Sequence, residues 1–373
     1  MLIIKNGTIH NGISKEPFVA DILIQNGKIV KIEKGIENPD AEIFDAENKD
    51  IYPGFIDVHT HIGMFGFSGE ASKDDVEKYD NCTPNNRAVD CVNIYESTFL
   101  EAAKEGVTCV CVGPGSVGCI SGNHMAIKTF GANMADRMVK ETVAMKIAFG
   151  ENLKKTKVQT LTTRASVAAL IRETIFAAQE YNKKIENNEP YEFNPKLEAM
   201  LPVVRGEIPL KAHAHRKDDI LTAVRIAKEC GVSLTLEHTT ESMGIEEELL
   251  QSGYPIAVGP YFYQPKKEEN RLSSPTSAVS LIRKGCNVSV MTDAPIVASK
   301  YLALSAGLLM REGLSEEDAL KTITINAARH LGLEDRLGSI EVGKDADLVI
   351  SKGCPLQISV KPECVFINGK KVQ

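Results

Sequence analysis

The sequence predicts an α/β protein: a (β/α)8 TIM-like barrel that carries a composite β-sandwich built from the two ends of the chain. Three observations predict it. The first fifty residues and the last thirty-odd share short apolar runs punctuated by Asn-Gly. The middle of the chain alternates unbroken β-rich runs with helical stretches. Several of those runs finish in a histidine or an acid.

The elements follow in order. LIIKNGTIH and DILIQNGKIVKIE are apolar runs broken by Asn-Gly, the dipeptide that suits a tight hairpin turn. Near the other end ADLVI and VFINGKKV repeat that style. Residues 1–52 and 338–373 are therefore expected to meet in one small sandwich, with residues 53–337 inserted as the barrel. Within the barrel GFIDVH, VTCVCVG, VAMKIAFG, IPLKAHAH, VSLTLEH, PIAVG and NVSVMTD read as strands buried on both faces. Helices such as DDILTAVRIAKECG and SPTSAVSLIRKG fall between several of them, which is the order of a parallel sheet with helices outside it. An eighth strand, needed for closure, is either MAIKT at 125–129 or hidden in 195–205. LTTRASVAALIRETIFAAQEYNKKIE is a helix, and a polar loop follows it.

Bulk properties narrow the function. A chain of 373 residues suits a barrel plus an appended domain. Its formal net charge of -7 argues against a general binder of nucleic acid or anionic membrane. No apolar run approaches a membrane span, and the apolar start MLIIKNGTIH is broken too soon for a signal peptide. The nine cysteines show no C-x-x-C spacing, and Cys109, Cys111 and Cys119 lie in or near an apolar run. They read as reduced, buried hydrophobes of a cytoplasmic protein. The expected partner is a small-molecule substrate, with neither nucleic acid nor membrane; a homo-oligomer is compatible with the sequence.

The chemistry gathers at the strand ends. FIDVHTHIG, residues 55–63, puts His59 and His61 on the same side of a strand, because strand side chains alternate. IPLKAHAH ends in His213 and His215, VSLTLEH in His238, VSVMTD in Asp293, and VAMKIAFGE in Glu151. In a barrel these ends share one face. Imidazole and carboxylate together are ligands of borderline divalent metals. Taken singly, each has a plain reading: Asp293 caps the next helix, and Glu151 is a first-turn acid. Their convergence points to a metal centre. The Gly-rich GCISGNHMAIKTFG offers His124 either to the mouth or as an ordinary loop residue, and YFYQPKKEENR reads as a lid or an exposed linker. His215, Arg164 and Arg216 join His124 as substrate-binding candidates, the arginines because a guanidinium fork pairs a carboxylate.

The motifs PGFIDVHTH, HAH, LEH, TDAP and NAARHLGLEDRLGSIEVGKDADLVI together resemble the amidohydrolase superfamily, most of all its imidazolonepropionase-like branch. The resemblance covers nearly the whole chain and implies a distorted (β/α)8 barrel with a composite β-sandwich. It also implies that His59 and His61 are the first-strand metal ligands, His213 the fifth-strand ligand, His238 the sixth-strand histidine and Asp293 the eighth-strand aspartate. Relatives add a carboxylated lysine or a glutamate at the end of strand four. Here Glu151 is the expected carboxylate, and Lys146, inside the apolar run, the less expected one.

The activity so implied is hydrolysis of a C–N bond in a small molecule such as an N-acyl amino acid, a dipeptide or a cyclic amide. One or two divalent metals, zinc first and manganese, iron or cobalt after it, would acidify a water. Asp293 would act as general base and then acid, and His238 would bind metal or steady the oxyanion. A deaminase or an imidazolonepropionase-type cyclic-amide hydrolase is the rival enzyme. It is disfavoured because Arg216 stands where such relatives carry an acid. A non-enzymatic assembly protein on the same fold, or a purely structural metal site, is the remaining alternative.

Overall fold

A computed structural model of the chain describes residues 1–14, 16–65, 73–155, 161 and 163–372. Five strands precede the barrel: β1 Leu2–Ile9, β2 Phe18–Gln25, β3 Lys28–Glu33, β4 Glu42–Asp45 and β5 Asp50–Pro53. The barrel strands are β6 Phe55–Thr60, β7 Val107–Val112, β8 Ile120–Lys128, β9 Met138–Ala148, β10 Leu210–Ala214, β11 Leu234–His238, β12 Ile256–Val258 and β13 Val288–Val290. Three more follow: β14 Leu348–Ser351, β15 Cys364–Ile367 and β16 Lys370–Lys371.

The chain ends do meet. They form one mixed sheet in the order β16-β15-β14-β5-β1-β2-β3, and the seam is the antiparallel pair β5–β14, with Ile51 opposite Ile350. The sheet branches at β1, whose first half pairs β4 and whose second half pairs β5. Its own apolar cluster joins Ile4, Ile22, Ile24, Ile51, Leu348 and Phe366. The dipeptides Asn26-Gly27 and Asn368-Gly369 both sit at positive φ between paired strands, as a type I′ hairpin turn requires. Asn6-Gly7 behaves differently. It interrupts the register inside β1 rather than turning the chain.

The second sheet runs β6 to β13 in sequence order. All pairings in it are parallel except those of β8, which is antiparallel to both β7 and β9. A wholly parallel barrel was the expectation from sequence, and here it is corrected. The connection from β7 to β8 covers only residues 113–119, too short for the crossover that a parallel pairing needs. MAIKT is thus part of the missing strand, running the other way. The barrel strands are buried along nearly their whole length.

Closure between β13 and β6 is made at the strand ends. Asp293 N donates to His59 O at 3.1 Å, and His61 N donates to Ala294 O at 2.7 Å. Beneath them the buried Asp57 carboxylate accepts from Thr292 Oγ1 at 2.5 Å, Thr292 N at 3.2 Å and Ser299 Oγ at 3.0 Å. This latch carries Asp293 over the His-Thr-His segment. Among the described residues no helix is long and apolar enough to cross a membrane.

Candidate metal centre

Six of the predicted residues converge at the ends of the barrel strands. His59 and His61 flank the end of β6, His213 closes on it from β10, His215 lies just beyond that strand, His238 ends β11, and Asp293 follows β13. Ring centroids are 4.4 Å apart for His213 and His238, 4.3 Å for His215 and His238, and 5.4 Å for His59 and His238. Ligand atoms of His213, His215 and His238, and of His59, His238 and Asp293, each lie within 4.8 Å of one another. His238 and Asp293 adopt φ of 68° and 53°, a region that non-glycine residues rarely occupy and that clusters at functional sites.

Hydrogen bonds fix which nitrogen His59, His61 and His238 offer. His61 Nδ1 contacts Gly113 O at 2.6 Å, and His238 Nδ1 contacts Gly259 O at 3.1 Å. A carbonyl can only accept, so both Nδ1 atoms carry the proton and both Nε2 lone pairs are left for a metal. His59 Nδ1 likewise meets the Glu237 carboxylate at 2.9 Å. His215 Nδ1 lies 2.7 Å from Thr240 Oγ1. His213 Nε2 is buried with no hydrogen-bond partner. Such an orphan is costly unless a ligand completes it. Gly113 can reach His61 only as glycine, because a Cβ there would stand 2.5 Å from the His124 ring.

Electrostatics keep this set ready to ligate. Burial holds His59, His213 and His215 well below the ordinary imidazole value, and takes His238 down to about 4. Neutral imidazole is the ligating form. Burial alone would raise Asp293, but its close neighbours His61, His238 and Lys146 bring it below the usual carboxylate value. Its Oδ1 stands 3.3 Å from His61 Nε2 and 3.6 Å from His59 Nε2.

On the fourth strand the two candidates trade places. Lys146 lies in β9, fully buried, with Nζ 3.1 Å from His59 Nε2. Burial lowers its ammonium to about 8. Glu151 starts the helix Glu151–Lys155, where its Oε1 accepts from Glu269 N at 3.2 Å and its own N donates to Glu269 Oε2 at 2.7 Å. It belongs to neither ligand group found among the described residues. Of the two fourth-strand candidates, the structure thus brings Lys146 rather than Glu151 against the histidines. The signal was present in the sequence: a lysine inside a strand buried on both faces needs a reason.

Three substrate-binding expectations also move. His124 is not on a loop but in β8, fully buried, with Nε2 3.1 Å from Pro114 O and its ring 5.7 Å from that of His59. Arg164 and Arg216 are exposed and share Asp218; Arg216 binds it at 3.1 Å through both Nε and an Nη. Neither arginine lines the cavity above the histidines. That cavity, about 620 Å³, has His61, His213, His215, His238 and Asp293 at its floor, with Asn152, Tyr263, Lys267 and the apolar Phe262 and Ile296 among its walls. Its volume suits a small organic substrate.

A family model described as "Amidohydrolase family" matches residues 51–372. The chain belongs to the amidohydrolase family. It is accordingly an enzyme of the hydrolases acting on C–N bonds, and its histidine clusters are of the kind that hold metal. A solved amidohydrolase from Thermotoga maritima MSB8 superimposes with a TM-score of 0.95 at 38% identity, covering 100% of both chains. Among curated relatives, amidohydrolase tasK of Hapsidospora irregularis is 26% identical over 391 residues, 94% of this chain but 40% of its own length. The dihydroorotase of Aquifex aeolicus (strain VF5) is 24% identical over 398 residues, 94% of this chain and 89% of its own. This amidohydrolase therefore spans less than half of the first of these relatives and most of the second.

Proposed function

We propose that this amidohydrolase cleaves the amide of a small N-acyl amino acid, dipeptide or cyclic amide, at a centre held by His59, His61, His213, His238 and Asp293. The observation that carries the reading is the orphaned, buried His213 Nε2 at the floor of the cavity, beside imidazoles whose Nδ1 protons are already engaged. The donor set fits one or two divalent metals, with zinc the first choice for neutral imidazoles joined by a carboxylate. When bound, such a metal supplies Lewis acidity, lowering the pKa of a water and polarising the scissile carbonyl.

The chain's own groups do the rest. Asp293, ionised and facing the cavity, takes a proton at a carboxylate oxygen and returns it to the departing nitrogen. His238, its Nδ1–H given to Gly259 O, offers Nε2 as a ligand. Lys146 would join the ligands once its neutral amine had added to carbon dioxide, forming the N–C bond of a carbamate with loss of a proton. The likeness to a dihydroorotase supports the cyclic-amide end of the substrate range. The motifs PGFIDVHTH, HAH, LEH and TDAP support the imidazolonepropionase-like branch, and nine free thiols support a reducing, cytoplasmic setting.

The test begins with metal content per chain after purification without chelator. Near two equivalents is expected in the parent, with a fall in His61→Ala and in Lys146→Met; no metal even after reconstitution sinks the reading. Asp293→Asn should then lower kcat on the responsive amide by at least about 100-fold. Ammonia released from aminated heterocycles, with N-acyl amino acids, dipeptides and cyclic amides left intact, would replace amide hydrolysis by deamination.

A further inference from the structure

We infer that Glu237 is the positioning residue of the metal centre: it fixes the tautomer and aim of His59, and Lys211, His330 and Thr235 lock it in turn. Four donors converge on this one carboxylate. Oε2 lies 2.9 Å from His59 Nδ1 and 2.8 Å from Lys211 Nζ. Oε1 lies 2.9 Å from His330 Nε2 and 2.9 Å from Thr235 Oγ1. A carboxylate offers about four lone-pair sites, so its capacity is filled. The side chains of Glu237, His59, Lys211 and His330 are at most 1% exposed, so water does not compete.

The arrangement constrains His59 alone among the ligands by means of a formal charge. His61 and His238 give Nδ1–H to backbone carbonyls, whose position the strands already dictate. His59 gives its proton to a side chain, and that side chain must itself be held. Glu237 pairs with His213 across β10 and β11, which puts it level with the floor of the site. Lys211, on the same strand as His213, supplies the counter-charge, and the Lys211 and Lys146 positions pair across β9 and β10. His330 comes from the helix Ile325–Leu331, which follows the barrel. The aim of a first-strand ligand thus depends on a residue beyond the eighth strand. With Nδ1–H committed to Glu237, His59 can offer only Nε2, the atom that Lys146 Nζ faces at 3.1 Å.

Glu237 also neutralises Lys211, so loss of the carboxylate threatens folding as well as ligand geometry. The test separates the two. In metal-free parent protein labelled with ¹⁵N-histidine, His59 is assigned by its loss in His59→Gln, and its ring nitrogens report the tautomer. The expected form carries the proton on Nδ1; a proton on Nε2 overturns the proposal. The second readout is Zn²⁺ affinity, measured by competition with a chromophoric chelator, on Glu237→Gln and on Glu237→Gln/Lys211→Met, which removes both charges. Both should bind Zn²⁺ about 10–100-fold more weakly than the parent with an unchanged circular dichroism spectrum. A folded variant within about twofold of the parent overturns the proposal. If neither variant folds, the parent tautomer decides alone. The affinity arm rests on the metal reading above, whereas the tautomer arm does not: a parent that binds no zinc sinks that reading and leaves the role of Glu237 to the spectrum.

Discussion

Two buried charge clusters, one at the junction of the sheets and one under the metal centre, look alike in composition and differ in what they leave open. At the junction Lys128 sits 2.5 Å from Asp347 and 3.0 Å from Asp345, and Asp345 is also met by Lys28 at 2.5 Å and Arg336 at 3.1 Å. Lys128 and these two aspartates are paired with one another. Under the centre Glu237 is saturated in the same way, but above it His213 Nε2 has no partner and several lone pairs face one cavity. A buried cluster whose donors and acceptors satisfy one another is a fastening. One that stops short of satisfying itself, at atoms aimed into a shared space, is a site.

Breaking the fastening should have the largest effect on stability. Lys128→Met leaves the buried Asp347 without its cation and takes one of three from Asp345, and should cost about 3–5 kcal/mol in denaturant unfolding, with metal bound per folded chain unchanged. A loss of metal without a loss of stability would erase the distinction. Acid should read the two clusters in different windows. Burial holds His59, His124, His213, His215 and His238 below the ordinary value, His238 at about 4. The unfolded chain takes up protons that the folded state refuses, so their stabilisation is intact above about pH 6.5 and is lost as pH falls toward 4. Burial would raise Asp345, but Lys128 and its other cations depress it, so its contribution fails only below the ordinary carboxylate range. The melting temperature of metal-free protein should therefore fall well before the junction titrates, and a flat profile from neutral to about pH 4.5 would contradict neutral histidines.

The smallest effect is expected at Arg216, which is exposed and tied to Asp218. Arg216→Met should change stability by less than about 0.5 kcal/mol and leave KM alike for acidic and neutral substrates. A rise confined to acidic substrates would return Arg216 to the site.

Much of this was legible in residues taken one strand at a time. His59 and His61 share a face by period two, and His213, His238 and Asp293 stand where apolar runs stop. Asn26-Gly27 and Asn368-Gly369 turn as that dipeptide should. Other features were not legible, for identifiable reasons. Asn6-Gly7 has the same letters but its flanks continue one strand, so pairing rather than turn chemistry decides its role. GCISGNHMAIKTFG carries enough glycine to read as a loop, yet its pairing with β7 and β9 makes it a strand and buries His124. In sequence Lys146 reads as the lesser candidate because it lies inside an apolar run, and only the fold shows that this position faces His59.

By itself the sequence determined the two sheets, the face on which chemistry collects and most of the side chains that gather there, because strand periodicity and strand ends are local properties. Only the tertiary structure decided the direction of β8, the approach of Lys146 rather than Glu151 to His59, the outward placement of Arg164 and Arg216, and the bond of His59 to Glu237. Each of these depends on which side chains face one another across strands distant in sequence, and that is set by barrel closure and register, which no single segment encodes.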